Sequence, residues 1–192
     1  MGPCRSCQVI LVEKIAHNKN QQGFTLLEII VVIILISILA LFSVDRLLSL
    51  RIAAEKASVT QVIGNIRSAL GLEVARLALD NNMIAVAALA KTNPVPLLAQ
   101  APSNYLGEQE KNINEVGQWY FNKEEGVLVY NVIHSENFKT ALKGLPRTRH
   151  QIKLIYDDKN NNQRFDLGQD GIAGLDLLPL EKFSWKTEAN NN

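Results

Sequence analysis

From Phe24 to Val44 the chain reads FTLLEIIVVIILISILALFSV, and 17 of these 21 residues are apolar. The exceptions are Thr25, Glu28, Ser37 and Ser43. At about 1.5 Å per residue a helix of this length spans roughly 31 Å, the thickness of a bilayer's hydrocarbon core. The pattern therefore predicts one transmembrane helix. Its β-branched residues do not weigh against this, because a single span in lipid satisfies its backbone hydrogen bonds only as a helix. A secretory signal has too short an apolar core to explain the run, and no Ala-x-Ala-like site closes it. After Asp45-Arg46 the pattern turns from continuous to periodic. Ile52, Val59, Val62, Ile63, Ile66, Ala69, Leu70, Val74 and Leu77 recur at three- and four-residue intervals, with Arg51, Glu55, Lys56, Arg67 and Arg76 assigned to other faces. The spacing predicts one helix from about Phe24 to Leu79, roughly 84 Å long and softened by about 1 kcal/mol at each of Gly64 and Gly71.

Asp80-Asn81-Asn82 and Asn93-Pro94-Val95-Pro96 break that pattern, with a short helix predicted at Met83–Ala90. Gly117–Asn122, a Lys123–Gly126 loop and Val127–Ile133 read as a β-hairpin of aromatic and β-branched residues. A third strand is predicted at Gln151–Tyr156 and a fourth near Lys182–Trp185. Trp119, Phe121, Tyr130 and Trp185 are read as core residues rather than ligand-stacking ones. The fold class is α+β, a long N-terminal helix on a small antiparallel sheet.

Composition alone conceals this division. The 192 residues are 47% apolar and 20% charged with a net charge of +1, which excludes collagen, a wholly disordered chain and a strongly basic nucleic-acid binder. Yet residues 24–80 hold 36 apolar residues in 57, against 45 in 112 for residues 81–192, which also carry 10 of the 12 aromatics. Both cysteines, Cys4 and Cys7, precede the apolar run, so no disulfide closes the rest of the chain. With only His17 nearby they lack the further ligands that zinc needs. Arg5, Lys14 and Lys19 against Glu13 make the first 23 residues net positive, which favours keeping that end in the cytoplasm.

Glu28 is the misplaced charge. A carboxylate at the centre of a spanning helix costs on the order of 2.5–3.5 kcal/mol, and less near its end, so it either reaches water at the interface or has a partner. Its surroundings decide between the two. Gln21-Gln22-Gly23-Phe24-Thr25-Leu26-Leu27-Glu28 and the aliphatic stretch after it resemble the processing site of type IV prepilins and type II secretion pseudopilins. The resemblance implies a pilin-like fold, cleavage between Gly23 and Phe24 by a prepilin peptidase, N-methylation of Phe24, and pairing of Glu28 with the terminal amine of a neighbouring subunit. It further implies a leader at 1–23, a membrane segment at 24–44, an amphipathic continuation at 45–80 and a globular domain at 81–192. The implied partners are other pilin or pseudopilin subunits, the peptidase, an inner-membrane assembly platform and, before assembly, membrane lipid. Leader and C-terminal domain would lie on the cytoplasmic and periplasmic sides. Asp45 stands where many members have a helix-kinking proline, and residues 24–192 lack the cysteines of a typical major pilin, so the departures favour a minor pilin or a pseudopilin. Trp119–Tyr130 and the Asp/Asn-rich loop after it are similar to minor pilins of the mannose-sensitive haemagglutinin pilus type.

Two further clusters are candidates for chemistry. Asp158, Asn160, Asn162 and Asp166 occupy the first, third, fifth and ninth positions of an EF-hand-like calcium loop, but Gln163 and Gln169 replace its glycine and its bidentate glutamate. The alternative is a polar turn, which Asn and Asp also make. Arg147, Arg149 and Lys153, with Lys143 and His150, form a basic cluster that would suit a DNA-uptake pilin or simply be a solvated loop. Without the leader the side chains number 17 basic and 18 acidic, so nucleic-acid binding would be local and salt-sensitive. A membrane-tethered enzyme is the remaining rival. No nucleophile elbow, phosphate loop or zinc triad supports it, and His134 and His150 are read as strand-end or loop residues.

Overall fold

The structure, a computed structural model, describes residues 24–186. The leader, with Gly23, Cys4, Cys7 and His17, lies outside the described residues. The chain divides into two compact units, Met1–Ser43 and Val44–Asn192. Helix α1 runs from Leu26 to Leu79. It ends where Asn81 takes a left-handed φ of 52° and the Asn82 amide donates to the Leu77 carbonyl at 2.9 Å, a closure that satisfies a carbonyl the helix would otherwise orphan. Asn82 then starts α2, Met83–Ala88, by accepting from the Ala85 amide.

Seven strands follow: β1 Tyr105–Gln109, β2 Trp119–Asn122, β3 Val127–Asn131, β4 Phe138–Thr140, β5 Arg147–Asp157, β6 Gly171–Pro179 and β7 Phe183–Trp185. The main sheet has the order β1-β2-β3-β5-β6, while β4 and β7 pair separately. The predicted hairpin is β2–β3, with Trp119 opposite Tyr130 and Phe121 opposite Leu128. The sheet is mostly antiparallel, as the α+β class predicts, and β1 alone lies parallel to its neighbour β2. Two strands differ from the expected ones. The third strand is 11 residues long and takes in Arg147 and Arg149. The segment near Trp185 joins a second, two-stranded sheet with the unpredicted β4.

Both faces of β2 and β3 are buried, which explains why these strands read as nearly continuous apolar runs. Trp119, Phe121, Leu128 and Tyr130, with Ile152 and Leu177, pack on Val59, Ile66 and Leu70 of α1. The Trp119 and Tyr130 rings lie 4.9 Å apart and tilted. The opposite face, Tyr120, Val127 and Val129, is covered by Ile113 and Leu180. Each fully buried side chain of this kind contributes roughly 1.5–3 kcal/mol. The amphipathic half of α1 is thus held by its apolar stripe on a sheet.

Candidate functional site

Thr25 begins α1 as its cap. Its Oγ1 accepts from the Glu28 amide at 3.2 Å, and its carbonyl accepts the first helical bond from Ile29 at 3.2 Å. Thr-x-x-Glu is the spacing of a capping box, a signal that the sequence reading passed over. The cap fixes Glu28 in the first turn, where a negative charge also suits the helix dipole. Ser37 and Ser43 donate their hydroxyls to the carbonyls of Ile33 and Leu39 at 2.7 and 2.8 Å, so neither needs water. Every residue from Phe24 to Val44 is exposed. Leaving 17 apolar side chains in water would cost on the order of 20 kcal/mol or more. An 18-residue window of this helix has a mean hydropathy of 3.0, and none of it is buried within the protein. Among the described residues it is the one helix long and apolar enough to cross a membrane.

The structure also brings together the residues of the Asp/Asn-rich loop between β5 and β6. Asp166 accepts from the side-chain amides of Asn160 and Asn162 at 2.7 and 2.6 Å, and Asp158 accepts from the backbone of Asn162 and Gln163. Asp170 holds the Lys159 and Asp166 amides. The loop is closed by its own side chains acting as turn caps. Among the described residues no cluster of three or more His, Cys, Asp or Glu side chains is placed to hold a metal.

The basic cluster lies on a strand rather than a loop. Arg149 forms ion pairs with both Glu125 and Glu181, the latter also through Nε at 3.1 Å. Arg147 donates to the carbonyls of Lys143 and Leu145. Lys153 is exposed further along β5.

One acidic residue was misassigned by the helical pattern. Glu55 is buried, not on a polar face. Its Oε1 accepts from the Tyr130 hydroxyl at 2.9 Å and the Ile133 amide at 2.7 Å. Its Oε2 accepts from the His134 amide at 3.1 Å and lies 2.7 Å from His134 Nδ1. Burial, reinforced by the Glu55 charge, holds the Tyr130 phenol far above its usual pKa. Glu55 thus clasps α1 to the segment leaving β3. Its position was legible: it falls in the three- and four-residue spacing set by Ile52, Val59 and Ile66. His150, read as a strand-end or loop residue, is instead buried within β5.

Residues 18–44 match the family described as the prokaryotic N-terminal methylation motif. No curated protein and no solved structure matches the chain. The match supports the type IV pilin and pseudopilin class, whose motif belongs to structural rather than enzymatic proteins. It carries the general implication of contact with other pilin subunits and with a prepilin peptidase. The apolar helix that begins within the motif is consistent with inner-membrane anchoring.

Proposed function

We propose that the chain is a minor pilin, a non-catalytic subunit inserted in the inner membrane and assembled through its N-terminal helix into a type IV filament. The observation that carries this reading is the register of the motif. Gly23, Phe24 and Glu28 stand in the family's order at the start of an exposed, predominantly apolar helical segment. In this reading hydrolysis between Gly23 and Phe24 removes the leader and creates an amine on Phe24. N-methylation leaves that amine cationic. A neighbour's amine then turns Glu28 from an isolated carboxylate in lipid into one half of an ion pair, which favours one axial register between adjacent helices. The mannose-sensitive haemagglutinin type is the finer placement, suggested by the Trp119–Tyr130 segment and the loop that follows β5. The type II secretion pseudopilins share the same anchor and chemistry, and a neighbouring secretin and secretion ATPase operon would select them instead.

Mass spectrometry of the N-terminal peptide, from cells with and without the prepilin peptidase, tests the reading. A methylated Phe24 terminus that depends on the peptidase is expected. An intact leader in both strains would overturn it. Glu28→Ala is expected to be cleaved normally and to enter filaments poorly, seen as loss of the variant from sheared filament fractions. Normal incorporation would show that the pairing is not needed.

A further inference from the structure

The two-stranded sheet β4–β7 has one apolar and one cationic face. Phe138 and Trp185 turn into the core, while Lys139 is paired opposite Ser184, and both are exposed. Strand alternation puts Lys182 and Lys186 on the same outward side as Ser184, and both are exposed too. Lys139 and Lys182 line a shallow cavity of about 240 Å³ together with Thr140, Phe183 and Ser184. None of the three lysines is in an ion pair among the described residues. Of the described carboxylates close by in sequence, Glu181 is committed to Arg149, and Glu136 is exposed beside its neighbour Asn137.

The hydrogen-bond pattern limits how far this face stands from the Glu55 clasp on α1. The Lys186 amide donates to the Asn137 carbonyl at 2.7 Å, and Asn137 is three residues from His134, which is held by Glu55. At no more than about 3.6 Å per residue, Lys186 lies within roughly 15 Å of that clasp. Glu55 is 11 residues beyond Val44, the end of the apolar run, and so about 16 Å along the helix from it. The lysines therefore belong to the part of the domain tied to the helix shortly after it leaves its apolar stretch.

We propose that this face docks on anionic phospholipid headgroups. The proposal rests on the membrane-anchoring reading and adds a second, electrostatic contact to it. Lysines are compact, hydrated point charges, and here they sit on an open ribbon without a buried donor to orient a particular ligand. Such a surface reads charge density rather than shape, and a bilayer bearing anionic lipid supplies it at short range. Screening over about 8 Å at physiological ionic strength confines the effect to direct approach.

The full-length chain, reconstituted with its domain outward in neutral phosphatidylcholine vesicles or in vesicles one-third phosphatidylglycerol, provides the test. Amine acylation is followed residue by residue by mass spectrometry, with Lys159, beyond the far end of β5, as the internal reference. Lys139, Lys182 and Lys186 are expected to label severalfold more slowly in the anionic vesicles, and high salt is expected to remove the difference. Equal labelling in both vesicles, with the chain shown by flotation to be inserted, overturns the proposal. Slower labelling in neutral vesicles on adding glycerol phosphate would identify a small-anion site and overturn it as well. A chain that floats with neither vesicle overturns the anchoring reading, and this proposal with it.

Discussion

A single carboxylate carries much of the join between helix and sheet. Glu55 has four polar partners, so removing it leaves the buried Tyr130 hydroxyl unpaired and takes the acceptor from two part-buried backbone amides and the His134 ring. Glu55→Ala is expected to lower stability by about 2–4 kcal/mol, and Glu55→Gln by less, because an amide oxygen still accepts. Thermal melts followed by circular dichroism in detergent would show this, and two unchanged midpoints would refute the clasp. His150 makes a different prediction. It is buried, lies edge-on to Phe183, and its Nδ1 has no hydrogen-bond partner among the described residues. Burial first, and the Arg67 charge second, lower its pKa from 6.5 to about 4, with Glu181 opposing. Between those values the unfolded chain binds a proton that the folded chain refuses, so stability rises with pH there. The contribution, up to about 3 kcal/mol, is complete above pH 6.5 and lost as pH falls towards 4. His150→Leu is expected to flatten the pH dependence of the melting midpoint over this window. An unchanged slope would place its origin elsewhere. Neither residue announces itself in the sequence as strongly as Glu28, because a buried polar side chain is defined by partners that lie 75 to 79 positions away, as for Glu55, or that surround it only once the strands have paired, as for His150.

Elements differ in how much of their conformation they specify locally. The β2–β3 hairpin was legible because its strands are apolar and β-prone and its loop ends in Gly126, whose φ is 64°. A Cβ there would stand 2.9 Å from the Lys91 carbonyl oxygen. Gly126→Ala is thus expected to destabilise the domain by roughly 1–3 kcal/mol, through both strain and contact. Gly71 gives the opposite expectation. It sits within α1, and apart from its chain neighbours and the helix's own backbone no atom lies within 4 Å of the place an alanine methyl would take, so Gly71→Ala should stabilise by about 1 kcal/mol. Paired melts of the two variants would check both signs. Strands β1, β4 and β6 escaped the sequence reading for physical reasons. The short β1 and β4 are only partly apolar, and β6 contains Gly174 at a φ of 154° beside a register shift opposite Ile155 and Tyr156. Their pairing depends on neighbours, and a local window does not contain those neighbours.

At the scale of the molecule, the unit Val44–Asn192 contains both apolar clusters and the Glu55 clasp, whereas residues 24–44 are exposed throughout. A chain beginning at Val44 is therefore expected to be soluble and to melt cooperatively, despite exposed Leu47, Leu48 and Leu50 near its start. Size-exclusion chromatography and circular dichroism would test this, and aggregation or a broad, non-cooperative melt would refute it. The sequence by itself determined the long helix, its apolar half, the glutamate within that half and the α+β class. Those features rest on short-range chemistry: helical periodicity, side-chain hydropathy, and residue types at fixed spacing. Only the tertiary structure decided which groups Glu55 binds, that Arg149 is bound by two carboxylates, that β1 runs parallel to β2, and that three lysines share one open face. Each of these is a meeting of residues far apart in the chain, brought together when the sheet packs on the helix, and no local pattern encodes such a meeting.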